Sequence, residues 1–281
     1  MTALLGEVVA ALEARYDAAL AESWDAVGLV CGDRDEPVRR VLFAVDPTTD
    51  VVDEVIETGA DLLVTHHPLF LTPVHGVPAD DPKGRLVHRL VRAGAALFVA
   101  HTNADRAPGH GVNDALAAVL GLRDTEPLER AEGDPRAGLG RVGELERPVP
   151  LREFAALVAA ALPVTVGGVR SAGDPEQVVR RVAVCGGSGG SLMDAAAAAG
   201  ADVLLTSDLK HHSVSEWQQS MRMSVCDVAH FASEWPWLPV ASELLERDLS
   251  GRIEASVSRR RTDPWTTHVG QSEEPAEPSA G

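Results

Sequence analysis

Apolar runs of strand length alternate along this chain with segments in which apolar residues recur at helical spacing. The runs indicate buried strands at residues 38–46, 61–65, 95–100, 178–184 and 224–229. The periodic segments indicate helices at residues 2–21, 48–58, 84–93, 113–120 and 151–162. Strands that alternate with helices are typical of α/β folds, so we expect mixed sheets flanked by helices.

The same order of elements occurs twice, which predicts two similar α/β lobes. Val-Arg-Arg-Val at residues 38–41 recurs at 179–182, and Gly-Ala-Asp at 59–61 recurs at 200–202 without a change in spacing. Each half reads strand, helix, strand, helix, strand, and then His-x-x-x-carboxylate. Right-handed crossovers put the carboxyl ends of parallel strands on one side. Two facing lobes would therefore bring these strand ends to one cleft.

Changes in charge and composition along the chain predict the domain boundaries. We expect a first lobe at residues 1–122 and a second lobe at residues 151–260. Between them, at residues 123–150, charge rises and periodicity falls, which indicates a connector. Residues 261–281 are rich in Pro, Ser, Glu and Thr, and we expect much of this tail to be disordered.

Three of the predicted strands end in histidine, and two of these continue to a carboxylate. The residues concerned are His66, His67, His101, Asp105, His230 and Glu234. Imidazole and carboxylate ligands suit divalent first-row metals, and strand ends are the usual ligand sites of α/β folds. The pattern predicts a two-metal site in the cleft between the lobes.

Structural roles for these residues are also open. His66 and His67 could form a solvated turn after a strand, and Asp105 and Glu234 could be helix N-caps or first-turn acids. His101 could orient a metal ligand or carry a proton. We favour metal ligation, because the repeat would bring both His-carboxylate units to the same cleft.

A second group of polar residues lies near the strand that ends at Thr206. Asp208 either caps the following helix, or it forms a site in which Lys210 or His212 contacts an anionic substrate or acts as a general acid. Asp25 either lines the cleft or fixes the N-terminal helix. The candidate catalytic residues are His101 and His212, and the candidate substrate-binding residues are Asp25, Asp208 and Lys210.

A glycine-rich run at residues 186–190 follows a predicted strand. Such a run can cradle a phosphate before a helix, or it can form a tight turn. It lacks the Lys-Ser/Thr of a Walker loop and the full spacing of a dinucleotide fingerprint. The tight turn is the better interpretation.

Composition narrows the class of protein. The 281 residues carry a formal net charge of −17, which argues against a partner that is a nucleic-acid polymer. A nucleotide substrate is compatible with this charge, since bound metals supply local positive charge. The three cysteines have no Cys-x-x-Cys spacing, and no apolar run has the length of a membrane helix. We therefore expect a cytoplasmic protein without a membrane partner.

Five motifs that occur together and in order are similar to those of a known family. They are Trp24-Asp25-x-x-Gly28-Leu29, Thr65-His66-His67-Pro68, His101-Thr102-Asn103-x-Asp105, Thr206-x-Asp208-x-Lys210-His211-His212 and His230-x-x-x-Glu234-Trp235-Pro236. This set resembles the Nif-three-like proteins, the GTP cyclohydrolase I type 2 homologues, and the resemblance extends over almost the whole chain before the tail. Some relatives carry an extra domain between the lobes, for which the connector here is too short.

The resemblance implies a dinuclear metal centre inside a toroidal homohexamer. It implies two divalent ions per subunit, which the ligand types leave open among Zn, Mn, Fe, Co and Ni. The implied ligands are His66, His67, Asp105, His230 and Glu234. Asp105 and Glu234 are the candidates for bridging carboxylates, since each oxygen can serve a different ion.

These observations predict a metal-dependent hydrolase that acts on a nucleotide or another phosphate-bearing small molecule. Two ions would lower the pKa of a shared water and polarise the bond under attack. Opening of a purine ring and hydrolysis of a phosphoester are two versions of this reaction. The alternative is a metal carrier, chaperone or regulatory partner without turnover. A third interpretation is a nucleotide sensor that uses the glycine-rich run.

Overall fold

The computed structural model describes residues 2–220 and 223–270, in which fifteen strands and ten α-helices follow one another. The strands are β1 (Ala3–Leu4), β2 (Gly28–Cys31), β3 (Pro37–Val38), β4 (Arg40–Ala44), β5 (Leu62–Thr65), β6 (Ala96–Val99), β7 (Arg123–Glu126), β8 (Glu129–Arg130), β9 (Gly138–Leu139), β10 (Arg141–Pro150), β11 (Val169–Ala172), β12 (Val178–Val184), β13 (Val203–Ser207), β14 (Ser224–Val228) and β15 (Glu254–Val257). The helices are α1 (Leu5–Arg15), α2 (Thr49–Thr58), α3 (Pro82–Arg92), α4 (Thr102–Arg106), α5 (Val112–Val119), α6 (Leu151–Ala161), α7 (Met193–Ala198), α8 (His211–Ser220), α9 (His230–Glu234) and α10 (Trp237–Asp248).

Two mixed sheets organise the fold. The first has five strands in the order β15-β4-β5-β6-β2, of which the first four are parallel and β2 is antiparallel to β6. The second has six strands in the order β11-β14-β13-β12-β10-β7, with a parallel centre of β12, β13 and β14. The predicted α/β architecture with mixed sheets flanked by helices is confirmed.

The two copies of the sequence repeat form the same pair of hydrogen bonds in the structure. Asp61 Oδ2 accepts bonds from the amides of Arg39 and Arg40, at 2.8 and 2.9 Å. Asp202 Oδ2 accepts bonds from the amides of Arg180 and Arg181, at 2.8 Å each. In each half this aspartate ties the start of one parallel strand to the start of the next, so the two halves use one device to set strand register.

The two sheets share an apolar core that lies between them. Along β4, Val41 and Phe43 point into this shared core, whereas Leu42 and Ala44 face outward, as the alternation of strand side chains requires. Helices α1, α5, α6 and α10 fill the space between the sheets. Helices α2 and α3 cover the outer face of the first sheet, and α7 and α8 cover that of the second.

Residues 123–150, the predicted connector, contain strands that join the second sheet. Strand β10 pairs with β12, and β7 pairs with β10 at the edge of the second sheet. All four residues of β7 are exposed and three are charged, which is common on an edge strand because charge blocks further strand pairing. Because β7 has no apolar residue, hydrophobic periodicity does not predict it.

The chain returns to the first sheet near its end. Strand β15 pairs in parallel with β4, from Glu254 beside Arg40 to Val257 beside Phe43. Residues 254–257 therefore belong to the sheet of the first half, although the sequence indicates a second lobe up to residue 260. Residues 261–270 have no regular secondary structure, and the rest of the expected disordered tail lies outside the described residues. No helix of residues 2–220 and 223–270 is long and apolar enough to cross a membrane.

A buried ion pair joins the two halves. The Arg141 side chain is 2% exposed and binds both oxygens of Asp114 on α5, at 2.7 and 2.9 Å. It also donates to the carbonyls of Ala107, Gly138 and Gly140. Since Arg141 begins β10 and Asp114 lies in the first half, this pair fixes the second sheet against α5.

Replacing Asp114 by Asn should lower the free energy of unfolding by about 3 kcal/mol, because it leaves the buried guanidinium without its charged partner. Urea denaturation followed by circular dichroism measures this loss. Arg247→Ala is the control, since it breaks an exposed pair with Glu243 and should cost less than about 1 kcal/mol. Equal losses in the two variants would contradict the proposed role of the buried pair.

Candidate metal centre

The carboxyl ends of parallel strands from both sheets meet at one cluster of histidines and carboxylates. His66 and His67 follow β5, and His101 follows β6 in the first sheet. His230 follows β14 in the second sheet and begins α9, which ends at Glu234. Asp105 comes from α4. The cluster therefore takes its side chains from both halves of the repeat.

One part of the cluster contains His66, Asp105 and Glu234. His66 Nε2 lies 3.7 Å from Asp105 Oδ1 and 3.4 Å from Glu234 Oε1. The His66 side chain is 1% exposed and that of Glu234 is 3% exposed. Two carboxylates and an imidazole nitrogen thus converge in a buried space.

The second part contains His67, His230 and the same Glu234. His67 Nε2 lies 3.1 Å from Glu234 Oε2, and His230 Nε2 lies 2.9 Å from Glu234 Oε1. His230 and Glu234 face the same way because they are separated by about one helical turn in α9. Glu234 contacts imidazoles in both parts, so it has the position of a carboxylate shared between two ions.

The outer nitrogen of each histidine is held by an oxygen of the protein. His66 Nδ1 donates to the Ala100 carbonyl at 3.0 Å, and the Nδ1 atoms of His67, His101 and His230 donate to carboxylates at 2.6, 2.8 and 2.7 Å. The three carboxylates belong to Asp46, Asp25 and Asp208 respectively. Because these oxygens accept, each Nδ1 carries hydrogen, and each Nε2 faces the cluster, where it can bind a metal once it has no proton.

Several buried atoms of the cluster have no hydrogen-bond partner among the described residues. They are His66 Nε2, Asp105 Oδ1 and Glu234 Oε2. Burying polar atoms without a partner costs several kcal/mol, on the order of 2–7 kcal/mol for each neutral group and more for a charge. Lone pairs of nitrogen and oxygen that converge in this way fit a divalent cation, which would bind all of them.

Strong electrostatic coupling acts on these groups when no ion is present. Burial lowers the pKa of His67, but Glu234 and Asp46 outweigh it and raise that pKa to about 11. Burial likewise lowers the pKa of His230, while Glu234 and Asp208 raise it to about 9. Burial raises the pKa of Asp105, and the neighbouring Glu234 carboxylate adds to this effect. Protons on the imidazoles thus balance the carboxylates where an ion would otherwise do so.

Gly187 allows the cluster to close. Its φ is +67°, and a Cβ at this position would lie 2.5 Å from Glu234 Oε1 and 3.0 Å from His230 Nε2. The amides of Gly186, Gly187 and Gly189 are already bound to Asn113 Oδ1, Ser233 Oγ and Thr206 Oγ1. The glycine-rich run is therefore a tight turn packed against the cluster, and these three amides are not free to cradle a phosphate.

Asp25 and Asp208, for which substrate binding stays a prediction, each hold a histidine of the cluster. Asp25 binds His101 Nδ1 with one oxygen, and its other oxygen accepts from the amide and hydroxyl of Thr102. Asp208 adopts a φ of +57°, which is unusual for a non-glycine residue, and its carboxylate binds His230. The geometry assigns both aspartates a role in orienting imidazoles.

The remaining predicted residues lie at the start of α8. Lys210 and His212 are exposed, and the His212 ring lies 5.2 Å from that of His211. His101, by contrast, offers a ligand atom within 4.8 Å of those of His66 and His67. The catalytic role of His212 stays a prediction, whereas His101 is part of the cluster.

Asp46 and its partner Thr262 are absent from the sequence interpretation. Asp46 follows the buried strand β4, which is parallel to the strand that His66 and His67 follow. This position at a strand end could have indicated that Asp46 lies near the histidines. The Thr262 hydroxyl donates to Asp46 Oδ2, so residue 262 of the expected disordered tail supports His67 through Asp46. No periodic or motif signal marks Thr262.

Asp46→Asn and Asp208→Asn should each weaken metal affinity about 10–100-fold, because each removes the anionic acceptor that orients a ligand imidazole. Competition with a fluorescent chelator measures the affinity. Asp35→Asn, an exposed carboxylate on the turn between β2 and β3, is the matched control and should leave affinity unchanged. Unaltered affinity in the Asp46 and Asp208 variants would contradict the orienting role.

Metal binding should release protons and should strengthen as pH rises. His67 and His230 hold protons below about pH 11 and pH 9 in the metal-free protein, and both must lose them to become ligands. Burial lowers the pKa of His66, but Glu234 and Asp105 outweigh it and raise that pKa as well. Near pH 7 we therefore expect at least two protons to be released, and the apparent affinity should rise about 100-fold or more per pH unit. Calorimetry in buffers of different ionisation enthalpy counts the protons. Release of none would show that the imidazoles bind the ion as already neutral groups.

Comparison with known proteins gives a consistent set of relatives. A Streptomyces coelicolor protein named "GTP cyclohydrolase 1 type 2 homolog" is 52% identical over 274 residues, and the match covers 95% of each chain. A solved structure of a Staphylococcus aureus hypothetical protein is 28% identical, with a TM-score of 0.86 over 94% of this chain and 99% of that one.

The family follows from these matches. The structure of a Bacillus cereus protein related to NIF3 has the same fold, with a TM-score of 0.85 at 24% identity over 95% of this chain and 99% of that one. Residues 3–264 match the family model of Duf34/NIF3 (NGG1p interacting factor 3). Since that match extends over nearly the whole chain, the protein belongs to the Duf34/NIF3 family.

Proposed function

We propose that the protein is a hydrolase that uses two divalent metal ions at this centre. The observation that carries the proposal is the position of Glu234, whose carboxylate lies within 3.4 Å of His66, His67 and His230. A single carboxylate between two sets of inward-pointing lone pairs fits a pair of ions better than one. His66 and Asp105 would hold the first ion, His67 and His230 the second, and Glu234 both.

When bound, two such ions would lower the pKa of a water molecule and polarise the bond under attack. The chain's own residues would fix where this happens. Asp46, Asp208 and the Ala100 carbonyl hold the ligand imidazoles in one tautomer, so no reorganisation is needed when substrate arrives. Burial of the cluster would keep bulk water from competing with substrate.

His101 is the residue best suited to carry a proton in this reaction. Its Nδ1 donates to Asp25 at 2.8 Å, which leaves Nε2 free on the side of the cluster. Burial raises the pKa of Asp25, but bonds from His101 and Thr102 outweigh it and bring that pKa far below its ordinary value. The ionised Asp25 would stabilise the imidazolium that forms when His101 accepts a proton at Nε2.

A phosphate-bearing small molecule, such as a nucleotide, is the proposed substrate class. A cavity of about 390 Å³ near β14 is lined by Arg170, Lys210 and His211 among other residues. Arg170 pairs with Asp227, which also lines this cavity, so the ammonium group of Lys210, a residue that the sequence predicts to bind substrate, is the positive charge available to a phosphate. Relatives named "GTP cyclohydrolase 1 type 2 homolog" make hydrolytic opening of a purine ring one version of the reaction, and phosphoester hydrolysis is the other.

The wider setting of the proposal rests on the family resemblance and on composition. We propose a cytoplasmic homohexamer whose partner is a small molecule and which binds neither membranes nor nucleic-acid polymers. The net charge of −17 supports the last point.

Burial argues against the alternative of a metal carrier. A carrier must give up its ion readily, whereas the His66 and Glu234 side chains are 1% and 3% exposed. An ion held by such groups would exchange slowly and would be placed to act where it is held.

His101→Gln should keep two ions per chain but lower turnover about 10²–10⁴-fold, the usual effect of removing a proton carrier. Glu234→Gln should lose both metal and turnover. Elemental analysis gives metal content, and a panel of nucleotides and phosphoesters gives turnover, with Asp35→Asn as the control. A wild-type protein that holds two ions and turns over nothing would favour the carrier.

A further inference from the structure

A cavity of about 370 Å³ lies beside the short helix that carries His230 and Glu234. Phe231 of α9 and Trp235, the residue that follows the helix, both line this cavity. They are separated by about one helical turn, so they share the face of the helix next to that of the two candidate metal ligands. We call this cavity the α9 pocket. Its volume lies in the range of small-molecule sites, about 300–1,000 Å³, and none of the candidate metal ligands lines it.

One side of the α9 pocket is apolar and open to solvent. It is formed by the end of α6 and the residues that follow, Ala161, Leu162, Pro163 and Val164. Val164 is 83% exposed, so a ligand can reach this side from solution. Removing such a surface from water stabilises a complex with a ligand that has an apolar part.

The polar side of the pocket is formed by Arg259 and Arg261. Arg260, which stands between them in sequence, pairs instead with Glu54 and Glu57 of α2, at 3.9 and 3.1 Å, and these glutamates do not line the pocket. Within residues 2–220 and 223–270, Arg259 and Arg261 form no ion pair, and no acidic side chain lines the pocket. Their guanidinium groups are therefore available to an anion from solution.

A phosphate monoester matches this pair of charges. Each guanidinium group can donate two parallel N–H bonds to the oxygens of a phosphate or a carboxylate. A phosphate monoester carries a charge of about −1.5 to −2 at pH 7, whereas a carboxylate carries a single charge, so the phosphate compensates both arginines. The apolar side of the pocket then fits an apolar group attached to the phosphate.

Residues 258–262, which we call the strap, connect these arginines with the candidate metal centre. Thr262, at the end of the strap, donates to Asp46, and the other oxygen of Asp46 accepts from the His67 imidazole at 2.6 Å. A ligand that fixes the guanidinium groups of the strap would therefore also fix Thr262, and with it the support of His67.

The strap is also attached to α9. Trp235 Nε1 donates to the Ser258 carbonyl at 3.2 Å, so two walls of the pocket are joined at one end. A ligand that bridges them would hold the strap and α9, with its two candidate metal ligands, in one arrangement. Its negative charge would also favour cations at the centre. Both effects strengthen metal binding, and by linkage bound metal would strengthen binding of the ligand by the same factor.

We propose that the α9 pocket binds the phosphate monoester of an apolar group, and that this ligand strengthens metal binding at the neighbouring centre. The phosphate would bind Arg259 and Arg261, and the apolar group would cover Val164 and Trp235. Such a molecule would act as an effector and not as a substrate, because no candidate metal ligand lines the pocket. The inference rests on the candidate metal centre for the coupling, but it does not depend on hydrolysis.

Binding of 1-naphthylphosphonate and 1-naphthalenesulfonate to the full-length, metal-loaded protein tests the site. The two probes share an aromatic ring system and a tetrahedral anionic head group, and neither has a phosphoester bond that a hydrolase could cleave. The phosphonate can carry two negative charges and the sulfonate only one. We expect the phosphonate to bind about 10-fold more tightly above neutral pH, because only the phosphonate compensates both arginines. Titration calorimetry measures both dissociation constants.

Arg259→Gln and Arg261→Gln should each weaken binding of the phosphonate about 10–100-fold, the range for a lost hydrogen bond to a charged group. Arg260→Gln is the matched control, since it removes a neighbouring arginine that pairs outside the pocket, and it should leave binding unchanged. Val164→Asp should also weaken binding, because it adds a negative charge to the pocket. Val91→Asp, at another exposed valine, is the control for this variant.

Competition with a fluorescent chelator, with and without saturating phosphonate, tests the coupling. We expect the phosphonate to raise the apparent metal affinity about 5-fold or more, within the usual range of coupling between two sites. The same factor should separate the phosphonate affinities of metal-loaded and metal-free protein. In Arg261→Gln, the phosphonate at the same concentration should leave metal affinity unchanged, which excludes chelation of free metal by the probe.

The outcomes distinguish this inference from the proposed function. Absence of phosphonate binding, equal affinities for the two probes, or an affinity that neither Arg259→Gln nor Arg261→Gln lowers would overturn the inference. In the last case, loss of binding in Glu234→Gln would show that the probe binds the ions directly. A metal affinity that saturating phosphonate leaves unchanged would also overturn it. Lack of turnover in a protein with intact coupling would instead overturn the proposed hydrolase alone.

Discussion

The charge of one buried carboxylate organises the molecule around its centre. Glu234 is almost completely enclosed, and its two oxygens face imidazoles that come from the ends of strands in both sheets. Burial raises the pKa of Glu234, but His67 and His66 outweigh it and bring that pKa far below its ordinary value. An ionised group at this depth requires compensating positive charge. His230 of the same helix supplies part of it, and His66 and His67 of the first sheet supply the rest.

The sequence predicts much of this arrangement because strand ends are easy to recognise. Histidines that directly follow apolar runs must lie at the carboxyl edge of a sheet, and His67 and His230 do so. The likeness of the two halves is also visible in the repeated residues around Asp61 and Asp202, and both aspartates bind the paired strand in the same way. Local signals of this kind depend on few neighbouring residues, so they can be recognised in a single sequence.

The parts that the sequence does not predict depend on contacts between distant segments. Strand β7 is charged, as edge strands often are. A connector between lobes is also rich in charge, so the sequence alone does not distinguish the two. An aspartate near a strand end is also typical of a substrate-binding site, so the sequence could not show that Asp25 and Asp208 hold imidazoles. Only their distances to His101 and His230 in the folded chain show it. Thr262 lies in a segment whose composition is that of a disordered tail, yet tertiary contacts give it a fixed place.

The position of β15 has a consequence for the way the chain folds. Its partner β4 lies about 200 residues earlier in the chain, so the first sheet cannot be completed on the ribosome until nearly the whole chain has been made. Contacts of such long sequence separation slow folding, since a large loop must close before they form. The two halves, although they repeat one another, are therefore interlocked into one cooperative unit. Cutting the chain between them would yield fragments that each lack an essential strand or helix, rather than two small proteins.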